Sequence, residues 1–141
     1  MKSSLWLRVA ALITGCQAIG HLVARPWTPG HDIVSIGVVA AMKAHEMNVM
    51  GFERSYFDFY VGFGIDLAIF LGAQAILLWL LAAFASTEPG RARPAIAVFF
   101  TANLAITAIS AVYLFTAPLV MTGLVVVSLG IGMLLPVTQR A

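Results

Sequence analysis

Four stretches of this chain are apolar for long enough to cross a lipid bilayer, a length of about 20 residues for a helix. The first runs from about Leu5 to Ala24 and ends at Arg25-Pro26, where proline cannot continue it. The second runs from about Tyr56 to Ala85 and is long enough to tilt or to project from the membrane. The third starts near Pro94, a favoured helix-start residue, and reaches Phe115. The fourth covers about Pro118 to Leu135 and stops before Pro136. The pattern predicts an all-α integral membrane four-helix bundle, one transmembrane domain over residues 1–141.

The connections differ in character. Ser86 to Arg93 is a short polar turn, and Thr116-Ala117 barely separates the last two spans, so these should form a tight antiparallel pair. Arg25 to Ser55 is long. It opens with the turn formers Pro26-Trp27-Thr28-Pro29-Gly30, turns apolar from Ile33 to Met42, and is mixed through Lys43-Ala44-His45-Glu46-Met47-Asn48. An additional amphipathic or partly inserted helix is expected over 32–50, with Asp32 as its cap. Its apolar part is short for a span. A fifth crossing is the alternative and would invert the topology after it.

Composition agrees with lipid burial. The chain is 61% hydrophobic and 10% charged, with a mean hydropathy of +0.97. A soluble domain carries about 25% charged residues, so this one could not wet a globule of its size. The net charge of +2 is too small and dispersed for a nucleic-acid partner. A single cysteine, Cys16, excludes an intramolecular disulfide and a multi-cysteine metal site. Ile13-Thr14-Gly15-Cys16 resembles a lipoprotein cleavage box, but Arg8 interrupts the apolar region before it, which favours an uncleaved first helix. With four crossings, Lys2, Arg8, Arg91, Arg93 and Arg140 fall on one side. Arg25, Lys43 and Arg54 fall on the other, diluted by Asp32, Glu46 and Glu53. The positive-inside rule then puts both termini in the cytoplasm; a bacterial inner membrane is the expected location.

Polar side chains in hydrocarbon cost several kcal/mol unless partnered, so their positions are informative. Thr14, Gln17 and His21 line one face of the first span, and Asn103, Thr107 and Ser110 one face of the third, with Tyr113 close by. On the second, Arg54, Asp58, Gly62 and Asp66 step by four. Counted at about 1.5 Å per residue, these stripes are expected to meet in the outer half of the bilayer, with Asp66 near its middle. The hydroxyl stripes alone suit helix packing. Asp66 is different: a carboxyl at this depth is expensive to ionise without a cation beside it, and such a group can exchange a proton near neutral pH. Asp58, one turn from Arg54, suits an ion pair at the helix entry.

These residues point to a cofactor-free acid/base enzyme acting on a lipophilic small molecule in the membrane by isomerisation, cyclisation or epoxide opening. Asp66 is the principal acid or base, with Asp58, His21, His45 or Glu53 as the second group. Gln17, Arg54, Tyr56, Tyr60, Phe63, Asn103, Thr107 and Tyr113 would bind the substrate. No metal pattern links His21, His31 and His45, and no cofactor motif is present. The alternatives are proton-coupled binding or transport of a lipophilic ligand, or a membrane subunit of a quinone-linked complex. A homodimer is a candidate assembly.

Arg54-Ser55-Tyr56-Phe57-Asp58-Phe59-Tyr60-Val61-Gly62-Phe63-Gly64, with Gly20-His21 at the end of the first span, resembles a stretch in small bacterial four-helix membrane proteins. The layout of four spans is similar, more loosely, to the emopamil-binding-like sterol isomerases and to DoxX-like proteins. In the sterol isomerases, intramembrane carboxylates and a histidine handle protons on a lipophilic substrate. The motif covers about a dozen residues and transfers no assigned catalytic role, and this chain is shorter than those isomerases.

Overall fold

A computed structural model describes residues 3–135; Lys2, Pro136 and Arg140 lie outside the described residues. The elements are α1 (Ser3–Ala24), α2 (Ile33–Ala44), β1 (Glu46–Val49), β2 (Phe52–Ser55), α3 (Tyr56–Thr87), α4 (Pro89–Tyr113) and α5 (Thr116–Leu134). α1, α3, α4 and α5 are each long and apolar enough to cross a membrane. The chain is an all-α integral membrane protein.

Helix ends follow local chemistry. α1 stops where Arg25 turns left-handed, at a φ of 44°, and its N–H bonds back to the His21 carbonyl at 3.2 Å. Pro26 then sits inside a turn closed by the Thr28 N–H on the Arg25 carbonyl. α4 starts at Pro89, earlier than the expected Pro94, which lies in its second turn. There, only the Gly90 carbonyl loses its N–H partner.

The helix expected over 32–50 ends at Ala44. The residues after it form an antiparallel hairpin, Glu46 pairing with Ser55 and Val49 with Phe52 across a Met50-Gly51 turn. Both turn residues have positive φ, 55° and 92°, the combination that matches the twist of a two-residue hairpin. The Asn48 side chain accepts the Gly51 N–H at 3.0 Å and so competes with helical hydrogen bonding. Asp32 caps α2 as expected, accepting the Ser35 N–H at 2.8 Å.

The described residues fall into two compact units. The first holds α1 as far as Gln17, α3 from Leu71, α4 and α5. Its core is Leu7, Ala10, Ala11, Leu78, Ala82, Ala85, Ala92, Ile96, Val125 and Leu129. Half of these are alanines, which let helix backbones approach closely in lipid. α4 and α5 do form the tight antiparallel pair. Thr107 meets Gly123 and Phe100 meets Gly130, so contacts rise along one helix as they fall along the other. Ser3 donates to the Gly132 carbonyl at 2.6 Å, tying the start of α1 to the end of α5.

The second unit runs from Ala18 to Phe70: the end of α1, the loop after it, α2, the hairpin and the first part of α3. It buries little apolar surface and is held by specific contacts. The Trp27 indole packs against Gly64, where a Cβ would come within 2.8 Å of it. The Tyr60 hydroxyl donates to the Pro26 carbonyl at 2.9 Å.

Candidate functional site

The second unit carries a shallow groove of about 260 Å³ along the first turns of α3, lined by Arg54, Asp58, Phe59, Gly62, Phe63 and Asp66. Its floor is the step-of-four stripe read from the sequence, but Arg54 belongs to β2 rather than to the helix. The Phe59 and Phe63 rings stack with centroids 6.2 Å apart and form an aromatic wall. A Cβ added at Gly62 meets nothing within 4 Å, so that glycine leaves open space in the groove. Asp66 is exposed on the groove, and no ion pair reaches it among the described residues.

Asp58 is held by its own helix start. Ser55 is buried, and its N–H donates to the Asp58 carboxylate at 2.8 Å while the Asp58 N–H donates to the Ser55 hydroxyl at 3.2 Å. This reciprocal pair is a capping box. The ion pair expected between Asp58 and Arg54 is not formed. The Arg54 guanidinium instead donates to the Glu53 carbonyl at 2.6 Å and lies 5.6 Å from the centre of the Phe52 ring. Ser-Tyr-Phe-Asp before an apolar run was the sequence signal for the box.

His45 and Tyr56 stack at 5.0 Å, which joins the end of α2 to the start of α3. Lys43 lies 4.6 Å over the Phe57 ring beside them. Glu53 faces Asn48 across the hairpin. His21 is elsewhere. It packs edge-on against Trp27 at 6.0 Å, on the side of α3 that Gly64 presents. Asp66 is two residues further on, about 200° around the helix at 100° per residue. The structure thus gathers Arg54, Asp58, Phe63 and Asp66 around one groove, and puts His21 and Tyr60 in the tie between α1 and α3. The His21 Nε2 is buried without a hydrogen-bond partner. Trp27 was not singled out in the sequence because a lone aromatic in a loop gives no periodic signal.

The remaining candidates belong to the first unit. Asn103 is buried and accepts a hydrogen bond from the Gln74 amide at 3.1 Å, while its own amide donates to the Phe99 carbonyl. Thr107 donates to the Asn103 carbonyl at 2.7 Å. These bonds satisfy the side chains within and between helices. Gln17 is half-buried, and Tyr113 is 79% exposed at the end of α4.

Comparison with family models, with curated proteins and with solved structures returns no match for this chain.

Proposed function

We propose that this membrane protein takes a lipophilic small molecule from the bilayer into the α3 groove and performs cofactor-free acid–base chemistry on it, with Asp66 as the proton donor or acceptor. The observation that carries this reading is the composition of the groove: an unpaired carboxylate beside two stacked aromatic rings, with space over Gly62. The rings offer an apolar wall and can stabilise positive charge developing on a protonated alkene or epoxide. The carboxyl, in an apolar setting, can deliver that proton and recover it. Isomerisation, cyclisation and epoxide opening all need this pair of properties. The four-span layout loosely resembles that of the emopamil-binding-like isomerases, which is in keeping with it.

Depth supports the same role. Arg8 lies 5.3 Å from the centre of the Trp79 ring, an arrangement suited to the headgroup level. About 20 residues back along α3, the opposite headgroup level falls near Phe59 and Tyr60. Asp66 is then about 9 Å inside the hydrocarbon, shallower than mid-membrane and within reach of a proton from the surface. We assign the 25–55 segment to the outer face and both termini to the cytoplasm on the charge asymmetry, and the location to a bacterial inner membrane on the resemblance to small bacterial four-helix proteins.

The test uses reconstituted protein in deuterated buffer with a panel of lipophilic alkenes and epoxides. The wild type should incorporate solvent deuterium into, or open, at least one of them. Asp66→Asn should abolish this and Asp66→Glu should retain part of it. Undiminished turnover in Asp66→Asn would end the assignment. The openness of the groove favours a second reading, proton-coupled binding and transport of a lipophilic cation. Flux of tetraphenylphosphonium into liposomes, lost in Asp66→Asn and without chemical change, would select it.

A further inference from the structure

The hairpin exposes apolar side chains at its tip that a protein in water would cover. Register puts Met47, Val49, Phe52 and Arg54 on one face and Glu46, Asn48, Glu53 and Ser55 on the other. At the tip, Met50 is 95% exposed and Phe52 64% exposed, and Val49 is exposed beside them. The Met50 φ of 55° belongs to a position where asparagine, aspartate or glycine is the ordinary choice. A strained, fully exposed methionine flanked by exposed valine and phenylalanine has a physical reason only if something apolar covers the tip.

We infer that this tip docks into the headgroup–acyl boundary of the outer leaflet, with Val49, Met50 and Phe52 inserted among lipid chains and Arg54 at phosphate level. Lipid is the occupant because the surface is continuous with a membrane span. β2 runs into α3 without a linker, and the Ser55–Asp58 capping box stiffens the junction. The hairpin is thereby held where Tyr56 and Tyr60 begin the aromatic interface. A depression of about 480 Å³ lined by Val49, Met50, Phe52, Arg54 and Phe59 lies alongside. Lys43 over Phe57 and Arg54 near Phe52 place a cation next to a ring on both sides of the junction, as amphipathic interfacial segments do. α2, which touches β2, buries none of its residues and at about 18 Å is too short to cross, so it extends the same interfacial surface.

The experiment places one environment-sensitive fluorophore on Met50→Cys in a Cys16→Ala background, in phosphatidylcholine vesicles. The same label on His31→Cys, in the loop on the same side, is the reference. The tip label should be blue-shifted, quenched by lipids bearing a nitroxide near the headgroup, and quenched severalfold less by aqueous iodide than the His31 label. Phe52→Cys repeats the measurement independently of the strained turn. Iodide quenching equal to that at His31 at both tip positions would overturn the inference. Protection from iodide without lipid quenching, lost on dilution into excess lipid, would also overturn it, because a second copy would then be the cover.

Discussion

Gly64 admits the Trp27 indole against α3, and it is the position in the second unit where a single added methyl has the clearest consequence. A Cβ there would sit 2.8 Å from two indole carbons, so Gly64→Ala should destabilise by about 1–3 kcal/mol through overpacking. Thermal unfolding in detergent checks this, and Trp27→Leu in the Gly64→Ala background should recover most of the loss. An unchanged midpoint for Gly64→Ala would mean the indole moves aside freely. Asp32 yields a prediction in pH. Hydrogen bonds from the Ser35 hydroxyl and N–H hold its carboxyl below the ordinary value of 3.8. Folding thus favours the ionised form. The cap contributes fully above pH 3.8 and is lost as pH falls through the lower folded value. The Ser35 amide resonance should follow that titration, and Asp32→Ala should remove it. At this scale the sequence was partly legible. Asp32 as a cap followed from its type and place, whereas the Trp27–Gly64 contact joins residues 37 apart that no local rule pairs.

The elements differ in how openly their residues declare them. Spans declare themselves because length and hydropathy suffice, and α1, α3, α4 and α5 lie within a few residues of the expected ranges. The hairpin did not. Glu46 and Met47 are good helix formers, so the segment read as a continuation of α2. The decision lay with Asn48, whose side chain closes the turn, and with Gly51, whose φ of 92° suits glycine. Period-two alternation was present in Met47-Asn48-Val49 and Phe52-Glu53-Arg54 but ran for too few residues to outweigh helix propensity. Gly51→Val should accordingly weaken the hairpin by about 1–2 kcal/mol, since a branched residue resists left-handed backbone. Hydrogen exchange at the hairpin amides is the readout, and α4 amides should not change. Ser55→Ala removes one arm of the capping box and should cost about 1 kcal/mol at the start of α3. Faster exchange at the Phe57 and Asp58 amides, with the rest of α3 unaffected, is the expected signature. Equal exchange would show that the Asp58 carboxylate alone holds the helix entry.

For the molecule as a whole, the number of crossings decides what every site residue faces, and α2 is the element on which that number turns. Four spans put both termini on one side. A fifth, through α2, would reverse everything after it. The 12 residues of α2 reach about 18 Å, well short of the roughly 30 Å hydrocarbon core, and the polar hairpin face follows at once. The convergence of polar stripes was less legible than the count. Spacing assigns residues to a face of their own helix, but the rotation of that helix is set by close contacts such as Trp27 on Gly64, and this turned His21 away from Asp66. Topology can be tested without knowing any ligand. In intact cells, a membrane-impermeant thiol reagent should label both His31→Cys and Glu46→Cys, the latter exposed at the end of the hairpin away from its tip, each in a Cys16→Ala background. It should reach Gly90→Cys, at the start of α4 beside Arg91 and Arg93, only after permeabilisation. His31 and Glu46 flank α2, so labelling from opposite sides would mean that α2 crosses. Asp66 and Arg54, which line one groove, would then open to the side opposite Arg25.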